Sequence, residues 1–195
     1  MRLTTRGAVT PDLDPAVAFS TWLDAARAGE ADGFAALYDW LGPEVKRFAI
    51  ARGARDPDAV TNDAFVAAFR RLRDFDGGRG AFRSWVYAIA RNGLIDAHRA
   101  EQRRPPLVDE SPWADPAHSA SAESIALDGL DGRVHELLAG LTDAQHEVIV
   151  LRVVNGLSLA ETADAVKRPV SAVKRLQARA LDQLRRTISD EEVSS

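Results

Sequence analysis

Apolar residues recur at steps of three and four along two long stretches of this chain, the spacing of helices that bury one face. The first stretch begins at Phe34 and continues past Ile89, and the second begins at Val134 and ends near Leu184. No run of alternating apolar and polar residues is long enough to form a sheet. The pattern therefore predicts an all-α protein.

Three helices are predicted in the first stretch. One runs from Phe34 to a stop at Gly53 and Pro57, one carries the apolar stripe from Val60 to Leu72, and one runs from about Ala81 to Arg99. Between the last two lies a loop, residues 75–80, whose three glycines permit a tight turn.

The second stretch carries two capping boxes, in which a Ser or Thr is followed three residues later by Glu or Gln. Thr142 with Gln145 starts a helix that should end before Gly156, and Ser158 with Glu161 starts a short helix. A turn and a last helix from about Val170 to Arg186 follow, so the segment is predicted to form a helix-turn-helix.

The prolines and small polar residues between the two stretches have the composition of a flexible linker. We therefore predict two small helical domains joined by that linker. The predicted division is an N-terminal extension, partly helical or disordered, at 1–33, a first domain at 34–104, an acidic linker at 105–133, a second domain at 134–186 and an acidic tail at 187–195.

Charge is unevenly distributed along the chain, although the formal net charge is only −4. Residues 34–104 carry a net charge of +4 and residues 134–186 carry +2, whereas residues 105–133 carry −5. The two predicted domains therefore have the sign of charge that suits a nucleic-acid partner.

Several function classes lack the residues that they need. The chain has no cysteine, which excludes disulfides and thiolate chemistry, and its four histidines have no metal-ligand spacing. No nucleophile elbow or phosphate-binding glycine motif follows a predicted strand. We therefore expect no catalytic residue, no metal and no cofactor. No apolar run approaches a membrane span, so we expect a cytoplasmic protein without a membrane partner.

The helix-turn-helix has the side chains that DNA recognition requires, because phosphates attract Lys and Arg while base edges need short polar or forked donors near the helix start. The residues that fit are Arg168, Ser171, Lys174 and Arg175. The alternative is that these cations are only solvated, and seven basic residues against one acidic residue in 167–186 argue against it.

A second polar surface is predicted beside the glycine loop, where Phe82 and Trp85 adjoin basic and polar side chains that suit melted DNA. The polar residues on this face are Arg83, Asn92, Asp96 and Arg99. For Trp85, core packing is the stronger interpretation, because its spacing places it with the apolar face of the helix.

The sequence from Phe75 to Arg99, FDGGRGAFRSWVYAIARNGLIDAHR, closely resembles the promoter-melting segment of extracytoplasmic-function (ECF) sigma factors of bacterial RNA polymerase. Residues 141–184, with LRVVNGLS and AVKRLQARAL, resemble the C-terminal helix-turn-helix of the same family. The resemblance implies the family's region 2 and region 4, and a function in promoter-specific initiation with RNA polymerase core and promoter DNA as partners.

Residue roles follow from the resemblance. For the −10 element it implies base capture by Arg79 and Phe82, and contacts along the promoter strand by Asn92, Asp96, Arg99 and Arg103. For the −35 element it implies Lys174, Arg175 and Arg179. For the clamp coiled coil of the polymerase beta-prime subunit it implies Asp58, Asn62, Asp63 and Phe65.

Two positions depart from the family pattern. Ala59 and Asn62 stand where an acid and Gln are common in the family. Because fewer negative charges would attract a basic partner, the electrostatic steering toward polymerase is predicted to be weaker. Lys167 and Arg168 stand in the turn at positions that commonly include glycine, so a positive φ there would strain Lys167.

Two other interpretations stay open at this point. One is a helix-turn-helix regulator that binds DNA without polymerase core, and the other is a helical protein-interaction module. The sequence also leaves open whether an anti-sigma protein holds the chain inactive.

Overall fold

The structure, which is a computed structural model, describes residues 15–102, 137, 138 and 140–194. Seven helices occur in these residues: α1 (Pro15–Ala28), α2 (Ala31–Ala51), α3 (Pro57–Arg70), α4 (Arg79–Gln102), α5 (Asp143–Ile149), α6 (Leu159–Val166) and α7 (Val170–Ser194). No strand occurs in them, which confirms the predicted all-α fold. The predicted linker, 105–133, lies outside the described residues.

Helix α1 belongs to the predicted N-terminal extension and packs tightly on α2. Its residues Phe19, Leu23 and Ala26 are buried, because they recur at the helical period on one side. The chain reverses at Gly29, whose φ of +87° is in the left-handed region. At Gly33 the two backbones come so close that a Cβ would lie 2.3 Å from the Ala26 nitrogen.

Helices α2 and α3 form the centre of this N-terminal unit. The apolar stripe predicted from Phe34 is buried, with Leu37, Leu41 and Phe48 fully excluded from solvent. As predicted, α2 ends ahead of Gly53, which has a φ of +71°. Asp56 then caps α3, since its carboxylate accepts a bond of 2.8 Å from the Ala59 N–H.

Helix α4 is longer than the sequence predicted, because it starts at Arg79, inside the glycine loop, and continues to Gln102. Gly93 lies within it without breaking it. Its buried residues Phe82, Val86 and Tyr87 face the core that α1, α2 and α3 form. We refer to α1–α4 as the N-terminal unit.

Helices α5–α7 form the C-terminal unit, and both predicted capping boxes are confirmed. Thr142 and Gln145 exchange bonds at the start of α5, and Ser158 and Glu161 do so at the start of α6. A π-helical turn, Val150–Val154, extends α5 up to the predicted stop, and Gly156 has a φ of +64°.

The two units share one core. Val86, Tyr87 and Ala90 of α4 belong to the same buried cluster as Leu157 and Ala163 of the C-terminal unit. Helix α6 therefore lies against α4. No helix within the described residues is both long and apolar enough to cross a membrane.

Candidate nucleic-acid interface

The turn between α6 and α7 has the geometry that a helix-turn-helix requires. Lys167 ends α6 with φ 53° and ψ 48°, so the positive φ considered for this turn does occur, and it occurs at Lys167. The Arg168 N–H returns to the Ala163 carbonyl at 3.0 Å, which closes the turn. Pro169 precedes the first residue of α7, where its fixed φ is compatible with helix initiation.

One side of α7 is anchored, and the opposite side is exposed and basic. Val173 and Ala180 are fully buried, so they fix the rotation of the helix about its axis. All five predicted −35 residues are exposed, namely Arg168, Ser171, Lys174, Arg175 and Arg179. This surface can therefore approach phosphates and base edges.

Arg152 is a structural residue of this site that the sequence analysis did not identify. Its Nε donates to Gln177 Oε1 of α7 at 3.2 Å, and its Nη1 donates to the Leu157 carbonyl. It thereby joins the π-helical turn to the basic helix. A single arginine inside an apolar run, LRVV, was the available signal.

The glycine loop of the N-terminal unit is held by side chains from α1 and α2. The Arg27 guanidinium donates to the Phe75 carbonyl, and the exposed Arg79 places its guanidinium carbon 4.8 Å from the centre of the Trp40 ring. Arg79 therefore remains accessible while its direction is constrained.

Phe82 does not lie on this surface. It is fully buried among aromatic rings, with ring centres 5.6 Å from Phe19 and 5.5 Å from Phe75. Its ring has no exposed face for a base in this conformation. Trp85 is half-buried and stacks on Phe75 at 5.0 Å, which agrees with the core-packing interpretation of that residue.

Arg83 faces the C-terminal unit. Its guanidinium donates to the Glu44 carboxylate at 2.7 and 3.0 Å and to the Asn155 carbonyl. Asn92, Asp96 and Arg99 are exposed further along α4. Arg103 lies outside the described residues.

Of the four predicted polymerase residues, three are exposed and one is buried. Asp58 and Asn62 are exposed and engaged, since Lys46 lies 2.8 Å from Asp58 and the Tyr38 hydroxyl donates to Asn62 at 2.8 Å. Asp63 is exposed, whereas Phe65 is 2% exposed and packs in the core.

Val66 is an exposed apolar residue, which the sequence analysis missed, on the face of α3 that carries the predicted polymerase residues. It follows Asn62 by one helical turn on the same face of α3 and is 47% exposed. An isolated valine in the segment FVAAF gives no signal by itself, because the helix has apolar residues on both sides of it.

Between the two units lies a group of polar residues that we call the interdomain cluster. It comprises Glu44, Arg83, Tyr87 and Arg91 of the N-terminal unit and Glu147, Asn155 and Glu161 of the C-terminal unit. Burial, and secondarily the negative charge of Glu44, raises the pKa of the Tyr87 phenol well above its ordinary value.

No group of three or more His, Cys, Asp or Glu side chains that could hold a metal occurs in the part of the chain that the structure describes. The two predicted DNA surfaces expose guanidinium, ammonium, amide and hydroxyl groups, together with the Asp96 carboxylate. Such groups bind DNA phosphates and base edges.

Family models match both units. The model of Sigma-70 region 2 matches residues 37–104, and that of Sigma-70, region 4 matches residues 137–186. Helix α1 lies outside both matches.

Curated relatives cover most of the chain. ECF RNA polymerase sigma factor SigD of Mycobacterium tuberculosis H37Rv is 32% identical over 168 residues, which are 82% of this chain and 79% of that protein. ECF RNA polymerase sigma factor BldN of Streptomyces coelicolor is 31% identical over 172 residues, which are 87% of this chain and 65% of that protein.

Solved structures agree in fold. The structure of CnrH in complex with the cytosolic domain of CnrY aligns with 89% of this chain and 98% of that one, with a TM-score of 0.66 and 27% sequence identity. The sigma factor RpoE of Bartonella quintana, in complex with the anti-sigma factor NepR, aligns with a TM-score of 0.60 at 18% identity and supports the fold. The two family models and the identity to SigD show that the chain belongs to the ECF family of RNA polymerase sigma factors.

Proposed function

We propose that this protein binds RNA polymerase core and directs it to promoters that carry −10 and −35 elements. The observation that carries the proposal is the exposed basic face of α7, which the helix-turn-helix and the Arg152 contacts hold in a fixed orientation. A fixed helix with donors near its N-terminus is what major-groove recognition requires.

In this proposal the C-terminal unit reads the −35 element. Lys174, Arg175 and Arg179 supply the principal contacts, and Arg168 and Ser171 contact the DNA at the start of the helix. Their exposure and their position on one side of α7 support the assignment.

The N-terminal unit acts at the −10 element through Arg79, Asn92, Asp96, Arg99 and Arg103. The exposure of the first four supports this part of the proposal. Arg83 can join them only after its bonds to the Asn155 carbonyl and to the Glu44 carboxylate are released. Phe82 contributes indirectly, because its buried ring packs against Phe75, the first residue of the glycine loop.

Polymerase core binds the exposed face of α3, through Asp58, Asn62, Asp63 and the adjoining Val66. The combination of acidic, amide and apolar groups on one face is suited to a helical basic partner. Phe65 acts on this surface indirectly, by packing α3 on α2. The chain itself performs no chemical step and works in the cytoplasm, where the polymerase transcribes.

A protein inhibitor is a further partner that we propose by analogy. CnrH is bound to the cytosolic domain of CnrY in its solved structure, and the likeness to CnrH extends over both units of this chain. Such an inhibitor of this chain would bind the surfaces that polymerase and DNA need.

The experiment is run-off transcription with core polymerase and a library of upstream sequences. We expect the purified chain to redirect initiation to one class of promoter. Lys174→Ala and Arg175→Ala should each weaken promoter binding by roughly 1–3 kcal/mol where they read bases, and less where they touch phosphate only.

The matched control is Arg186→Ala, which removes the same kind of charge from the same helix at a residue that pairs with Asp182 at 2.7 Å. It should leave promoter choice unchanged. Specific promoter binding without core would instead favour a conventional regulator, and failure to redirect initiation with core present would contradict the proposal.

A further inference from the structure

The contact between the two units covers Arg83, one of the predicted −10 residues, and leaves Arg79, Asn92, Asp96 and Arg99 exposed. Helix α4 carries the proposed −10 residues, and α6 with the loop before it lies against the N-terminal half of that helix. Leu157 of this loop is fully buried in the same cluster as Val86 and Tyr87. Burying these apolar groups in one core stabilises the packed arrangement.

Arg83 is the centre of the polar contacts. Besides Glu44, it reaches the Asn155 carbonyl and the Gly156 carbonyl at 3.5 Å, and its Nη1 lies 3.9 Å from Glu161 Oε1. Its side chain is 17% exposed. The guanidinium is therefore shared between Glu44 of its own unit and the C-terminal unit, and this arrangement closes it to a DNA phosphate.

Tyr87 and Asn155 form a second bond across the contact. The buried Tyr87 hydroxyl donates to Asn155 Oδ1 at 3.1 Å, and Asn155 Nδ2 donates to the Val150 carbonyl of its own unit at 3.0 Å. Asn155 is 5% exposed. A buried amide that is satisfied on both sides fixes one alignment of the two units.

Arg91 and Glu147 form an ion pair across the same contact. Arg91 Nε lies 2.5 Å from Glu147 Oε1, and the Glu147 side chain is only 7% exposed. Removing the arginine would leave a buried carboxylate without this partner. Separating the units would return that carboxylate to water, so loss of the pair favours the separated state.

The packed arrangement cannot serve both promoter elements at once. Elements centred at −10 and −35 are about 25 base pairs apart, which is about 85 Å along the duplex. A compact body of 195 residues has a radius of gyration of only about 16 Å. The residues 103–136 between the units can reach about 110 Å when extended, so the chain is long enough to open.

We propose that the interdomain cluster holds the free chain in a closed state without any other protein, and that opening precedes simultaneous contact with the two promoter elements. The importance of the closed state for transcription rests on the proposed function. Its existence does not, because it is a property of the chain alone. In the closed state Arg83 is withheld from DNA, so the same contacts that align the units also limit promoter binding.

The test measures the distance between the units by pulsed electron paramagnetic resonance. The chain has no cysteine, so Ala35→Cys in α2 and Ala178→Cys in α7, both exposed, give two unique sites for nitroxide labels. We expect the free chain to give a single narrow distance distribution. A broad distribution that extends to long distances would overturn the proposal.

Charge reversal then identifies the cause. Arg91→Glu and Glu147→Arg each place like charges together, and each should shift most of the population to longer distances. The double variant restores an opposite pair and should return the narrow distribution. Arg186→Glu is the matched control, because its ion pair with Asp182 lies within α7. Unchanged distances in both single variants would contradict the proposal.

Arg91→Gln is the milder variant if a reversal prevents folding, which circular dichroism would show. It leaves Glu147 without its cation and should also raise the long-distance fraction. No change in that fraction would overturn the role of the pair.

Variants that shift the population to the open state should bind the promoter, in the presence of polymerase core, several-fold more tightly, since affinity follows the fraction of competent molecules. The distance measurement needs neither polymerase nor DNA, so its outcome is independent of the proposed function.

Discussion

At the scale of single residues, the helix starts at Thr142 and Ser158 depend on hydrogen bonds between near neighbours in the chain. Both capping boxes formed as expected, because each joins residues three positions apart within one turn. Glycine is common in the family at the positions of Lys167 and Arg168, which raised the question of a positive φ in this turn, and the structure has it at Lys167. Phe82 was harder, because an aromatic residue at helical spacing is equally compatible with a core and with a base-binding surface.

Lys167→Gly should stabilise the protein. At φ 53° the Lys167 Cβ is close to its own backbone, a cost of roughly 1–2 kcal/mol that glycine lacks. The greater freedom of glycine in the unfolded chain offsets about 0.5–1 kcal/mol. We therefore expect a net gain of about 0.5–1 kcal/mol in the free energy of unfolding, measured with urea.

The control for this change is Arg168→Gly at the next position, where φ is not positive. That variant should lose stability, because only the entropic cost remains. Equal effects at the two positions would show that Lys167 is not strained.

At the scale of elements, α1 is the helix whose role the sequence analysis left unassigned. Its buried residues Phe19, Leu23 and Ala26 do have the helical period, so a signal was present. The helix has only 14 residues, and only three of them are buried. What the sequence could not show is the site that receives it, since that site combines residues of α2, α4 and the glycine loop.

Gly33→Ala should destabilise the N-terminal unit. The new Cβ would lie 2.3 Å from the Ala26 nitrogen, and this neighbour is backbone that cannot rotate away. Overpacking of this kind costs roughly 1–3 kcal/mol. Thermal unfolding followed by circular dichroism would measure the loss.

Gly93→Ala is the matched comparison inside α4. A Cβ there meets nothing within 4 Å, so the helix should gain roughly 0.5–1 kcal/mol from the better helix former. Destabilisation by both substitutions would mean that the close approach at Gly33 is not the cause.

At the scale of the whole molecule, the contact between the units could not be predicted from the sequence. Arg83, Glu44 and Asn155 are far apart along the chain, and each is a polar residue of ordinary surface type. Their burial arises only after α6 packs on α4. The basic face of α7 was predictable, in contrast, because a solvent-exposed face is encoded within one helix.

The buried Tyr87 makes the closed molecule sensitive to alkaline pH. Its pKa is raised in the folded chain, so above pH 10.0 the unfolded chain loses a proton that the folded chain retains. Folding stability should then fall as pH rises, by up to about 1.4 kcal/mol per pH unit from this residue. Urea unfolding between pH 8 and pH 11 would measure it.

Tyr87→Phe removes the ionisable group and keeps the ring. The variant should be less stable than the natural chain near pH 8, where it lacks the bond to Asn155, and should lose less stability above pH 10.0. Parallel pH profiles for the two proteins would contradict this explanation.

The position of α1 also bears on how the protein is divided for study. A fragment cut at residue 37, where the region 2 match begins, would lack Phe19 and Leu23 and would expose the rings that they cover. It would also lose the Arg27 bond to the Phe75 carbonyl, which holds the first residue of the glycine loop. Weak −10 binding by such a fragment would then report the missing support rather than the recognition surface itself.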